Sequence, residues 1–127
     1  MNVDERFLEG LHLFNAGEYY DCHEVIEDLW LETPSEDPHR NLYKGVIQAA
    51  AAYYQYNRGI LSGAIGLYRT AVLYLEPYTP IAMGLDVKGL VHELKTGFAR
   101  LDKWDGQGDP PPPPEEPKVF FSEEAEV

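Results

Sequence analysis

The sequence predicts an all-α protein, a compact bundle of about five helices built from αα-hairpins and followed by an extended, proline-rich, acidic C-terminal tail. Apolar residues recur every three or four positions in five segments, as on the buried face of an amphipathic helix. Glycine, asparagine or proline ends each of the first four segments, and these residues commonly stop helices. The chain has 127 residues, 44% of them hydrophobic, which is enough to bury a core without a metal or a disulfide.

The first two segments predict a helical hairpin. Residues 4–15 form the first helix, with Asp4 as its N-cap and Gly17 as the residue that stops it. Residues 18–32 form the second helix, and a segment containing two prolines, residues 33–38, then breaks the chain. The inner stripes of these helices contain Phe7, Leu8, Leu11 and Phe14, and then Tyr19, Cys22, His23, Ile26, Leu29 and Trp30.

Three further helices follow. Residues 39–58 are apolar on most sides, which is typical of a central helix with neighbours on several faces. Residues 61–76 form a fourth helix that ends at Pro77, and Asp86 is the expected N-cap of a fifth helix that ends near Trp104. An aromatic-Asn-x-Gly pattern occurs at residues 14–17 and again at 56–59, which indicates a duplicated hairpin.

The composition changes after the fifth helix. We therefore expect a helical domain over residues 1–105 and a tail over residues 106–127. Five consecutive prolines, residues 110–114, predict an extended polyproline segment. We expect Phe120 and Phe121 to dock this acidic tail into an apolar groove, on the same body or on a neighbouring copy.

Charge and composition exclude several classes of protein. The net charge is −12, and nine acidic residues with no lysine or arginine lie between Phe7 and His39, so nucleic-acid binding is not expected. The only cysteine, Cys22, indicates a reducing compartment. No signal peptide or membrane span is evident, so we expect a cytoplasmic protein. The acid-rich, lysine-poor composition also suits a high-salt cytoplasm.

One motif on the second helix could bear chemistry. His23, Glu24 and Glu27 form an HExxE pattern, which differs from the zinc-protease HExxH motif only at its last position. His23 and Glu27 could be metal ligands of a hydrolase-like site, an acid–base pair, or part of a pocket for a small polar ligand. The remaining alternative is structural, because two buried polar groups can satisfy each other across a helix interface.

Other polar residues give weaker indications of function. Gln48 on the third helix could face His23, while Lys44, Gln48 and Gln55 follow one helical line that is either a solvated face or a cationic lining for the acidic pocket. Cys22 and His23 point about 100° apart on a helix and do not form a dyad. The sequence contains no glycine-rich phosphate loop, and we expect no cofactor.

Several motifs together resemble one uncharacterised bacterial and archaeal family, domain of unknown function 309. They are FNxGEYY at residues 14–20, HExxExxW at 23–30, GVIQxAA at 45–51, GA at 63–64 and GLD at 84–86. The resemblance covers roughly residues 7–100 and implies a compact all-α bundle, with no established activity or cofactor. It also implies that the family's signature positions are His23, Glu24, Glu27, Trp30 and Gln48, and we take these five as the candidate ligand-binding residues.

This chain departs from the family pattern at three positions. Gln55 stands where the family often has histidine, Ile60 where it often has asparagine, and Cys22 where it often has alanine. Without the histidine at position 55, a metal site is harder to build.

Three hypotheses for function follow from the sequence. We favour a small helical binding or assembly module that forms homo-oligomers and carries a polar His-Glu cluster between helices. The alternatives are a small enzyme that uses His23 and Glu27 as an acid–base pair, and a metal-binding protein with the same two residues among its ligands.

Overall fold

Five α-helices form most of the chain in the computed structural model, which describes residues 3–115 and 117–122. The helices are α1 (Glu5–Asn15), α2 (Tyr19–Glu32), α3 (Arg40–Asn57), α4 (Leu61–Leu75) and α5 (Val87–Lys103). The all-α prediction is confirmed, and the helix ends lie within one residue of the expected ones. A short 3₁₀ turn, Glu76–Tyr78, and two strands, β1 (Ile81–Ala82) and β2 (Leu85–Asp86), join α4 to α5.

Two of the expected N-caps form as the sequence predicts. The Asp4 carboxylate accepts a hydrogen bond from the backbone N–H of Arg6 at 2.8 Å. The Asp86 carboxylate accepts one from the backbone N–H of Gly89 at 2.9 Å. Each bond satisfies a donor that the first turn of a helix leaves without an intrahelical partner.

The two aromatic-Asn-x-Gly turns have the same geometry. Gly17 and Gly59 both have a φ of 78°, in the left-handed region that favours glycine. In each turn the residue after the glycine donates its backbone N–H to the carbonyl five residues earlier at 2.9 Å. This is the Schellman ending of a helix, and it reverses the chain after α1 and again after α3.

The core is centred on α3, which packs against α2 on one side and α4 on the other. Tyr53 on α3 is 1% exposed, and its ring centre lies 5.6 Å from that of Phe14, 5.4 Å from Tyr19 and 5.4 Å from Phe98. These contacts join three helices to α3 through a single side chain. Gly45 allows α3 and α4 to approach closely, because a Cβ atom there would lie 2.7 Å from Leu75.

A β-hairpin that the sequence analysis did not predict lies before α5. Strands β1 and β2 are antiparallel, and Met83 and Gly84 form the loop between them with φ values of 49° and 78°. Positive φ at both loop residues is typical of a type I′ turn. Phe121 from the tail forms a bridge to Leu85, so the tail extends this small sheet.

The described part of the tail contacts the bundle at several points. The Tyr56 hydroxyl lies 2.7 Å from the Pro111 carbonyl, and the Asn15 amide bonds to Val119. Val119 is 3% exposed, whereas Phe120 is 73% exposed and Phe121 is partly buried against the core. Of the two phenylalanines expected to dock, only Phe121 therefore packs on the bundle. Residues 116 and 123–127 lie outside the described residues.

None of the helices in the described part of the chain combines the length and the apolar character that crossing a membrane requires.

Candidate ligand-binding site

His23 and Glu27 contact each other on α2. Residues four apart on a helix lie one above the other, and here the His23 Nε2 and Glu27 Oε2 atoms are 3.3 Å apart. The two side chains are 30% and 42% exposed, so the pair lies at the edge of the helix interface and is open to solvent. Burial therefore does not by itself require the two groups to pair.

His23 lines a cleft between α2 and α3 with a volume of about 120 Å³. The other residues that line it are Tyr19, Tyr20, Ala51, Tyr54 and Gln55. The Tyr20 ring centre is 5.4 Å from that of Tyr54 and 5.9 Å from that of His23, so aromatic rings form the wall. Ala51 has no side-chain atom beyond Cβ and leaves this space open between the two helices.

Gln55 supplies the polar anchor of the cleft. Its side-chain oxygen, Oε1, is buried and has no hydrogen-bond partner within the part of the chain that the structure describes. A buried acceptor without a partner costs about 1–3 kcal/mol, so such groups are normally satisfied by protein, water or ligand. The cleft therefore combines aromatic walls, one imidazole and one unsatisfied acceptor.

Trp30 belongs to a different part of the α2–α3 interface. It lies seven positions after His23, which is about 10 Å along a helix. The Arg40 guanidinium carbon lies 4.2 Å from the Trp30 ring centre, and the Lys44 Nζ atom lies 4.3 Å from it. The five predicted site residues are thus spread along the interface and do not converge on one point.

The remaining two predicted residues do not line the cleft. Glu24 is exposed to solvent and Gln48 is partly buried on α3. Gln55 follows the same helical line as Gln48, but only Gln55 reaches the cleft. Tyr20 and Ala51 were not among the predicted site residues, although Tyr20 stands one turn before His23 and Ala51 leaves room opposite.

The described residues contain no group of three His, Cys, Asp or Glu side chains that could hold a metal ion. His23 and Glu27 would supply two ligands, whereas protein zinc sites use at least three. Cys22 is fully buried, and burial raises the pKa of its thiol to about 12. Such a thiol stays protonated near neutral pH and is a poor nucleophile.

Comparison with known proteins finds a match to a family whose function is unknown. Residues 7–67 match the model of the family described as Domain of unknown function (DUF309). One curated relative is the uncharacterized protein YpuF of Bacillus subtilis (strain 168), which is 29% identical over 87 residues. That match covers 67% of this chain and 49% of YpuF, so the chain spans about half the length of this relative. The family match covers residues 7–67, which contain four of the five sequence motifs named above.

Proposed function

We propose that this protein is a small helical binding module that holds a small polar molecule in the cleft between α2 and α3. The observation that carries the proposal is that Gln55, which lines a cleft walled by aromatic rings, has a buried Oε1 atom without a hydrogen-bond partner among the described residues. Ligand sites commonly combine apolar or aromatic walls with a few polar groups that fix orientation.

The dimensions and chemistry of the cleft limit the ligand. A volume of about 120 Å³ is smaller than the roughly 300 Å³ at which sites for drug-sized molecules begin. The ligand therefore has few non-hydrogen atoms. Gln55 Oε1 can only accept, so the ligand carries an N–H or O–H donor, and its body packs against Tyr20 and Tyr54.

The His23–Glu27 pair orients the second polar contact. The Glu27 Oε2 atom lies 3.3 Å from His23 Nε2, and this contact positions the imidazole that lines the cleft. The imidazole is thus the second polar group of the site, beside Gln55.

Binding can be tested by recording amide NMR spectra of the labelled protein with a library of small fragments. A ligand of this site should shift the signals of residues 19–23 and 51–55. The Gln55→Leu variant should lose that binding, while Gln48→Leu, on the same helix but outside the cleft, should retain it. Fragments that leave these signals unchanged, or bind both variants equally, would refute the proposal.

A second candidate is a small enzyme that uses His23 for acid–base catalysis. It is favoured by one observation, that the imidazole which lines the cleft also contacts a carboxylate at 3.3 Å. If a bound fragment is converted, His23→Asn should retain binding and lose the conversion. Binding without conversion by the unchanged protein leaves the binding module as the function.

We also propose a cytoplasmic homo-oligomer that does not bind nucleic acid and tolerates high salt. The net charge of −12 and the lone buried cysteine support the location and the lack of nucleic-acid binding.

Self-association is supported by large apolar side chains left exposed, of which Leu73 is 74% and Leu31 is 65% exposed. Light scattering after size-exclusion chromatography measures the mass, and a monomer at 14.4 kDa would contradict the oligomer.

A further inference from the structure

Two cationic side chains converge on Trp30 at the start of α3. Arg40 and Lys44 stand one helical turn apart, and each places its charge within 4.3 Å of the indole ring centre. The two charges are therefore no more than about 8.5 Å apart, near the Debye length at physiological salt. Attraction to the ring holds each cation there, but the cations repel each other.

The carboxylates of three residues close in sequence to Trp30 or Arg40 make contacts with other groups. Glu27 contacts His23, and Glu32 pairs with Arg6. The Asp37 carboxylate accepts a hydrogen bond from the backbone N–H of His39 at 2.8 Å. Among residues 3–115 and 117–122, no carboxylate oxygen lies within the 4.0 Å of an ion pair from Arg40 or Lys44.

Around the Trp30 ring, hydrogen-bond donors outnumber hydrogen-bond acceptors. Arg40 Nε donates to the Thr33 carbonyl at 3.1 Å, which fixes the guanidinium and leaves its terminal nitrogens as further donors. The Trp30 indole nitrogen is buried and has no hydrogen-bond partner within the described residues. The Arg40 guanidinium and the Lys44 ammonium therefore lie at the Trp30 ring, where the Thr33 carbonyl is the one hydrogen-bond acceptor that the described residues supply.

We propose that Arg40, Lys44 and Trp30 form a binding site for an oxyanion, a carboxylate or phosphate group of a small molecule. A planar guanidinium binds such groups through two parallel hydrogen bonds, and the ammonium supplies a second charge. An oxyanion would give these two cations a negative partner, which no described carboxylate supplies within ion-pair distance. Trp30 does not line the cleft proposed above, so this site is independent of that function.

Tryptophan fluorescence tests the site directly. The chain has two tryptophans, and in a Trp104→Phe background Trp30 is the only one. Sodium phosphate and sodium acetate are titrated into this full-length variant at constant ionic strength set by sodium chloride. We expect a saturable change in Trp30 emission with at least one of the two anions, and the anion that gives it identifies the preferred group.

Substitutions separate this site from a general salt effect. Lys44→Gln removes a charge whose described contact is with the Trp30 ring alone, so the fold should persist, and we expect affinity to fall about tenfold or more. Lys88→Gln, which removes an exposed charge on α5, should leave affinity unchanged. A response that does not saturate, or that is equal in Lys44→Gln and Lys88→Gln, would overturn the proposal.

Discussion

The Asn15 side chain forms two hydrogen bonds with the backbone of Val119, a residue 104 positions later. Asn15 Nδ2 donates to the Val119 carbonyl at 2.9 Å, and the Val119 backbone N–H donates to Asn15 Oδ1 at 2.8 Å. A carboxamide carries one acceptor and two donors, so it can pair with both backbone groups of one residue. The end of α1 thus attaches the tail to the bundle.

Replacing Asn15 should loosen the tail. Asn15→Ala removes both bonds, and we expect the free energy of unfolding to fall by about 1–2 kcal/mol. Trypsin should then cleave after Lys118 faster. The matched control is Asn57→Ala at the equivalent position of the second hairpin, where the residue is exposed. Equal unfolding curves and cleavage rates for the two variants would contradict this role of Asn15.

Truncation tests the proposed division into a domain of residues 1–105 and a tail of residues 106–127. The tail buries Val119, and the Tyr56 hydroxyl bonds to the polyproline segment. A chain that ends at residue 105 should fold but unfold at a lower urea concentration. An unchanged urea midpoint would show that these contacts add nothing to stability.

Two glycines should respond in opposite ways to alanine. At Gly45 a Cβ atom would lie 2.7 Å from Leu75 and 3.2 Å from Tyr74, so Gly45→Ala should destabilise the protein by about 1–3 kcal/mol. At Gly66, in α4, no atom lies within 4 Å of the added Cβ, so Gly66→Ala should stabilise it by up to about 1 kcal/mol. Urea unfolding measures both, and a Gly45→Ala variant as stable as the unchanged protein would show that α3 and α4 are not closely packed at Gly45.

The Cys22 thiol should be unreactive in the folded protein. Burial raises the pKa of this thiol from 9.0 to about 12. Because folding favours the protonated thiol, the free energy of unfolding falls as the pH rises from about 9 to 12. At pH 8 we expect Ellman's reagent to react at the rate of unfolding, and at once after denaturation in urea. Rapid reaction of the native protein would show that the thiol is accessible.

The His23–Glu27 pair should matter more for binding than for stability. Both side chains are partly exposed, so His23→Ala should change the free energy of unfolding by less than about 1 kcal/mol. The same variant should lose the fragment binding proposed for the cleft, whereas His92→Ala, at an exposed position on α5, should change neither. A large loss of stability in His23→Ala alone would instead support the structural role of the pair.

The helices could be predicted because their signals are local. Helical spacing, the caps at Asp4 and Asp86, and the left-handed glycines Gly17 and Gly59 each depend on a few neighbouring residues. The β-hairpin before α5 was missed, because two-residue strands have no periodicity and Met83 adopts positive φ within a turn that only Gly84 signals.

The candidate site was likewise predictable only where its contacts lie within one helix. The contact between His23 and Glu27 follows from their spacing on one helix, so the sequence alone determined it. Only the tertiary structure decided that Gln55 and not Gln48 lines the cleft, and that Arg40 and Lys44 converge on Trp30. These contacts depend on how α2 and α3 are rotated and offset against each other. Side-chain packing over the whole bundle sets that arrangement, and no local pattern in the sequence records it.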